Sequence, residues 1–188
     1  MPGELHRDGA RATLRFERTF PHAPEKVWRA LTENEELAYW FPAQIQGERA
    51  QGATLLFVFG EEAVSPEVQK YFEEEAPFKP PTEEEMADQG GEMLVFDPPR
   101  TLAFSWGKDV LRFELQPRGQ HTLLVFTHSF DDESNAARDA SGWDMSFDSL
   151  ERRLSGVEPE PFAPRTVTAK FEEYAARFGP QAAARREV

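Results

Sequence analysis

The stretch 134-SNAARDASGWDMSFDSLERRLSG-156 places Ala136, Ala140, Trp143, Phe147, Leu150 and Leu154 at steps of 4, 3, 4, 3 and 4. That spacing collects them on one stripe of a 3.6-residue helix. Arg138, Asp139, Asp144, Asp148, Glu151, Arg152 and Arg153 fall between them and read as a wetted face. Ser134 or Asn135 suits an N-cap, and Gly156 suits a helix stop. Gly142 costs about 1 kcal/mol relative to alanine inside a helix, which predicts a close approach to the backbone there. A stripe carrying Trp143 and Phe147 needs a broad apolar surface, and the rest of the chain must supply it.

Upstream, the pattern is that of strands. In 13-TLRFERTF-20, Leu14, Phe16 and Phe20 alternate with Arg15, Glu17 and Thr19. The run 101-TLAFSW-106 alternates Leu102, Phe104 and Trp106 against Ala103 and Ser105. In 110-VLRFELQP-117, Leu111, Phe113 and Leu115 share the inward parity, and 121-HTLLVFTHSF-130 puts Leu124, Phe126, His128 and Phe130 on one side. Further strands fit 43–50, 53–60 and the residues before 97-DPPR-100, whose prolines force a turn. Short links between consecutive strands argue for an antiparallel sheet covered on one face. The cover is the long helix, so the fold class is α+β: a curved sheet gripping a C-terminal helix.

Two helices interrupt the sheet after the first strand. Pro24 fits a first helical position, with Val27, Trp28 and Leu31 as its apolar patch. Thr32 followed by Glu35 is a capping-box pattern and predicts a new helix, bearing Leu37, Trp40 and Phe41 and closed by Pro42. Such a pair holds helix and sheet apart at one end, which predicts a cavity between them. Residues 1–12 read as a frayed leader, 13–156 as the domain, and 157–188 as a Pro-rich link with a helix carrying Val167, Phe171, Tyr174 and Phe178. Between 61 and 89, ten acids face only Lys70 and Lys79, a segment charge of −8. With Pro66, Pro77, Pro80 and Pro81, it reads as a short helix within a solvated insertion.

Composition narrows the function. The 188 residues suffice for one domain burying about 70% of its unfolded surface, and 16 Phe with 4 Trp predict an aromatic core. A net charge of −13 repels phosphate backbones and anionic membranes, so nucleic acid is not an expected partner. No apolar run is long enough for a membrane span, and MPGELHRDGARA lacks the apolar segment of a signal peptide, which points to a cytoplasmic location. With no cysteine there is no disulfide, thiolate metal site or Cys nucleophile.

Three ordered motifs carry a resemblance. Val27-Trp28-Arg29-Ala30-Leu31-Thr32 with Leu37 and Trp40-Phe41 is the first. Glu92 through Asp97-Pro98-Pro99-Arg100, with Leu102, Phe104 and Trp106, is the second. Phe126-Thr127-His128 and Gly142-Trp143 with Leu150-Glu151 make the third. Together, from about Leu14 to Gly156, they resemble homologues of the activator of heat-shock-protein-90 ATPase, within the START-like (SRPBCC) superfamily that shares the birch-pollen-allergen helix-grip fold. The insertion at 61–89 departs from the shorter link that family implies. Fold relatives include lipid carriers, hormone receptors and polyketide cyclases, so the resemblance does not by itself decide function.

The expected ligand site is Trp106, Phe126, His128, Trp143 and Phe147, lining a cavity for a small hydrophobic or amphipathic molecule. His128 is placed to bond a ligand's polar end or act as a base; the alternative is a core histidine bonded within the protein. The tryptophans, likewise, are pocket wall or simply core. Asp144 and Asp148, four residues apart, lack the further oxygen ligands a cation needs and read as a solvated face. No Gly-rich phosphate loop, Ser-His-Asp order or metal-ligand spacing is visible, so no cofactor or catalytic residue is expected. The rival reading is a co-chaperone-like module binding a chaperone or other protein; a cyclase- or hydrolase-like enzyme using His128 is the weaker third. A pocket of roughly 300 Å3 or more favours the ligand reading, and a filled interior the interaction module.

Overall fold

The computed structural model describes residues 1–9, 11–58, 70–78, 90–158, 160 and 163–185. Its strands are β1 (Glu4–Asp8), β2 (Arg11–Phe20), β3 (Gln44–Gln46), β4 (Thr54–Val58), β5 (Gly90–Asp97), β6 (Thr101–Trp106), β7 (Asp109–Arg118) and β8 (His121–Phe130). Helices α1 (Pro24–Thr32) and α2 (Asn34–Leu37) follow β2; the long α3 (Ala136–Leu154) and then α4 (Pro164–Phe178) end the chain order. Among the described residues the strands form one antiparallel sheet in the order β1-β2-β8-β7-β6-β5-β4-β3. It curves around α3, which is the helix-grip arrangement.

The alternating residues behave as period 2 requires. Leu14, Phe16 and Phe20 of β2, Leu111, Phe113 and Leu115 of β7, and Leu124, Phe126 and Phe130 of β8 are all buried. They meet Ala136, Ala140, Trp143, Phe147, Leu150 and Leu154 of α3, each buried as the stripe implies. Asp132 opens the helix region, its carboxylate accepting from the Ser134 N–H at 2.9 Å before a short 3-10 turn. At the other end Gly156, at φ +68, makes a Schellman stop: its N–H bonds the Arg153 carbonyl and the Val157 N–H bonds that of Arg152.

Four expectations change. Glu4–Asp8, read as part of a frayed leader, pairs with Arg11–Arg15 as β1, with Gly9 at φ +63 in the turn. The edge strand is charged and mostly exposed, so periodicity gave it no signal. Thr32 caps nothing: the break falls at Glu33, which is extended, and the Thr32 hydroxyl donates back to the Trp28 carbonyl at 2.9 Å. Gly142 is exposed, and a Cβ there would meet nothing within 4 Å, so no backbone approaches it.

The described part of the insertion is not solvated throughout. Tyr71–Glu75 form a π-helical turn, and Tyr71, Ala76 and Phe78 are buried. Phe78 packs on Phe171 of α4 with ring centroids 5.1 Å apart, and the Tyr71 hydroxyl bonds Thr168 at 2.8 Å. The rest of the insertion lies outside the described residues. Helix α4 begins at Pro164 and buries Val167, Phe171, Tyr174 and Ala175. Among the described residues no helix is long and apolar enough to cross a membrane.

Candidate functional site

His128 stands in mid-β8 with Leu14 of β2 on one side and Leu111 of β7 on the other. Its inward parity puts the imidazole under α3, with its side chain 8% exposed. Asp109, the first residue of β7, has the same parity as Leu111, two residues on, so its carboxylate reaches the same face. The two-residue link Gly107-Lys108, with Gly107 at φ +57, sets that start point. His128 Nε2 lies 2.8 Å from Asp109 Oδ2, and the Trp143 indole N–H donates to His128 Nδ1 at 3.1 Å.

These two partners fix the ring's state. Indole has only a hydrogen to give, so Nδ1 must accept. Nε2 therefore carries the proton of the neutral ring and donates it to Asp109. Both nitrogens are satisfied within the protein. Nδ1 has no lone pair free for base chemistry while Trp143 stays in place.

Around this chain of hydrogen bonds the aromatic rings touch one another. Phe126 lies 4.6 Å from Trp143 and 5.1 Å from Phe147, centroid to centroid. Trp143 and Phe147 stack at 6.0 Å, and Phe41 reaches Trp143 at 6.0 Å. Of the five expected site residues, Phe126, His128, Trp143 and Phe147 therefore meet directly. Trp106 stands one ring away, reached through Phe41 at 5.6 Å and stacked on Phe57 at 4.5 Å. At these separations the space under α3 is occupied by side chains, not by an open cavity. Trp28 faces Phe96 instead, at 5.4 Å, and is core.

The open volume lies outside that cluster. A groove of about 290 Å3 runs between Ala38–Pro42 and α3, touching Gly142, Met145, Ser146 and Ser149. Its lining includes Trp40 and Phe41, which belong to the interior ring cluster. A smaller depression of about 110 Å3 continues it past Tyr39 and Ser149 toward Arg153.

Sequence reasoning missed Asp109 and Phe41. Asp109 was visible in principle, since its parity matches Leu111 and Phe113. It precedes 110-VLRFELQP-117, the run read as the strand, and so lay just outside it. Asp144 also differs from its expected role. It is buried on α3, where it pairs with Arg18 of β2 and accepts from Lys170 of α4 at 2.6 Å. Asp148 beside it is exposed and 3.8 Å from Lys170. Among the described residues, no three His, Asp or Glu groups converge as a metal site.

The model of the family described as activator of Hsp90 ATPase homolog 1-like protein matches residues 21–155, from the turn before α1 to the end of α3. The chain belongs to this family. Its match contains Phe41, Trp106, Asp109, Phe126, His128 and Trp143, while β1, β2 and α4 lie outside it. Solved structures are similar over most of the chain. A conserved protein of unknown function from Enterococcus faecalis is 17% identical with a TM-score of 0.66, covering 94% of this chain and 92% of that one. A Bordetella parapertussis protein is 26% identical with a TM-score of 0.65, covering 94% and 91%. The Aha1 dimer from Colwellia psychrerythraea is 20% identical with a TM-score of 0.54, covering 76% and 95%. The first and third likenesses speak to fold alone. No protein with a curated description matches the chain.

Proposed function

We propose that this domain binds a small hydrophobic or amphipathic ligand between α3 and the sheet, entering at the groove beside Ala38–Pro42. The observation that carries this reading is the continuity of the aromatic rings. They run from the groove at Trp40 and Phe41 to Trp143, which packs on Phe126 and bonds the imidazole of His128. The groove of about 290 Å3 is near the lower bound of small-molecule sites, roughly 300 Å3. Apolar area covered there contributes about 25 cal/mol per Å2. Binding is the function, with no chemical step assigned to any residue.

The test is native mass spectrometry of the purified protein for a co-purified small molecule, followed by titration of Trp fluorescence with lipid and aromatic probes. Saturable quenching by any probe class is expected. A second reading, a co-chaperone-like interaction module, draws on the filled interior and on the family's description. Recovery of a chaperone in pull-downs, together with no saturable probe across the panel, would replace the ligand reading by it.

A further inference from the structure

Resting on that ligand reading, we infer that the site selects a neutral, flat, aromatic ligand bearing one hydrogen-bond donor, and that Trp143 holds the donor's place in this structure.

The selectivity comes from Asp109. Its carboxylate, 2.8 Å from His128 Nε2, holds the ring proton on that nitrogen. Turned the other way, the ring would set a lone pair against a carboxylate. With Nε2–H given to Asp109, the neutral ring presents an acceptor, Nδ1, to the space under α3. Whatever sits opposite Nδ1 must donate. In this structure the donor is the Trp143 indole N–H, at 3.1 Å.

Trp143 thus displays the chemistry its replacement needs, a planar aromatic body with one neutral donor at its edge. A phenol-type hydroxyl on a fused ring meets that description. A carboxylate does not, because its oxygens would face the Nδ1 lone pair with the charge of Asp109 behind it. An ether or hydrocarbon of the same size would leave Nδ1 unpaired, a buried acceptor without a donor.

The groove is lined by neighbours of Trp143 and not by Trp143 itself. The groove touches Gly142, its chain neighbour, and Phe41, its ring neighbour. At Gly142 a Cβ would have open space. An indole swung about its own χ1 out of this cluster would leave Phe126 and Phe147, its present ring partners, to face a ligand.

The experiment titrates the 15N-labelled full chain with three matched probes: 2-naphthol, which donates; 2-methoxynaphthalene, which does not; and 2-naphthoate, which is anionic. We expect 2-naphthol to bind about tenfold tighter than either of the others, the worth of one buried hydrogen bond. At saturation the Trp143 indole resonance should move to a position without its present bond, while the His128 nitrogens keep the Nε2–H pattern. Trp143→Phe removes the internal competitor and should tighten both 2-naphthol and 2-methoxynaphthalene severalfold, leaving the preference for 2-naphthol in place. Asp109→Asn frees the ring to exchange tautomers, so its His128 nitrogen shifts should change and the preference for 2-naphthol should collapse. Saturable binding with equal affinity for 2-naphthol and 2-methoxynaphthalene, or an unmoved Trp143 resonance at saturation, overturns this inference and leaves the ligand reading standing. Absence of saturable binding by all three overturns both.

Discussion

At the scale of single residues, a buried polar atom is decided by what it is paired with. His128→Phe fills the same space but leaves the Trp143 indole N–H without an acceptor in a buried position. Asp109, 38% exposed, returns to water at little cost. The expected loss is about 1–3 kcal/mol in a urea melt. Adding Trp143→Phe to that variant should recover part of it, since the orphaned donor then disappears; a purely additive double mutant would show the indole–imidazole bond to be unimportant. Thr32→Ala belongs at the other extreme. Its hydroxyl bonds the carbonyl four residues back within α1, which slightly disfavours a helix, so the change should stay within about 0.5 kcal/mol. Gly91→Ala is severe by comparison: its Cβ would lie 2.1 Å from the Ser105 carbonyl oxygen and 2.8 Å from the Phe57 ring. Backbone cannot yield as a side-chain tip can, and a loss of about 1–3 kcal/mol or more is expected from thermal unfolding.

At the scale of elements, what was legible was what repeats. The α3 stripe, the parity of β2, β6, β7 and β8, and the interruption by α1 and α2 all follow from spacing, because burial of one face imposes a period. The elements that repeat nothing were missed. Strand β1 is charged throughout its exposed edge, and the Tyr71–Phe78 segment packs two aromatics from within an acidic run. Of the ring cluster, Phe126 and His128 follow from strand parity and Trp143 and Phe147 from the helical stripe, whereas the Asp109 contact required knowing where the β6–β7 turn ends. Asp144 shows the same limit. Its position predicted a wet face, but α4 and Arg18 close over it, and a covering helix leaves no mark on the helix it covers. Through Asp144 and the Gly3 N–H to Tyr174 bond of 2.9 Å, α4 ties α3 to the N-terminal strands. Asp144→Asn should cost about 3 kcal/mol, since it leaves Arg18 and Lys170 without their buried partner. The pH dependence has a definite sign. Burial disfavours the charge of Lys170, but its bond to Asp144 and the charges of Asp144 and Asp148 outweigh that and raise its pKa above the usual 10.5. The stability it adds is complete below 10.5 and is lost as pH climbs through the raised value. Burial also raises Tyr174, whose ionisation removes stability over the alkaline range in the same direction. The alkaline limb of a stability profile should therefore flatten in Asp144→Asn and flatten further when Tyr174→Phe is added. An unchanged limb in both would place the anchoring of α4 in its apolar face alone.

For the whole molecule, the decisive property is that the grip is closed by its own rings while the groove outside it is open. The chain as a whole carries a net charge of −13, so a neutral ligand meets no long-range repulsion where an anion does. A ligand that seats against Phe126 and His128 must wait for Trp143 to leave, whereas one that stays in the groove needs no such step. The two cases differ in kinetics. If opening precedes binding, the observed rate in stopped-flow Trp fluorescence should level off as 2-naphthol concentration rises, at a value set by the protein's own opening. That plateau should be the same for any other donor-bearing naphthalene, because it precedes contact with the ligand. It should rise in Trp143→Phe, which lacks the bond to His128 Nδ1 that holds the gate shut. Salt should leave the plateau unchanged, since neither the indole nor the probe carries charge. A rate that grows linearly with concentration, at the same slope in the wild type and Trp143→Phe, would mean that the ligand never passes Trp143 and that the groove alone is the binding surface.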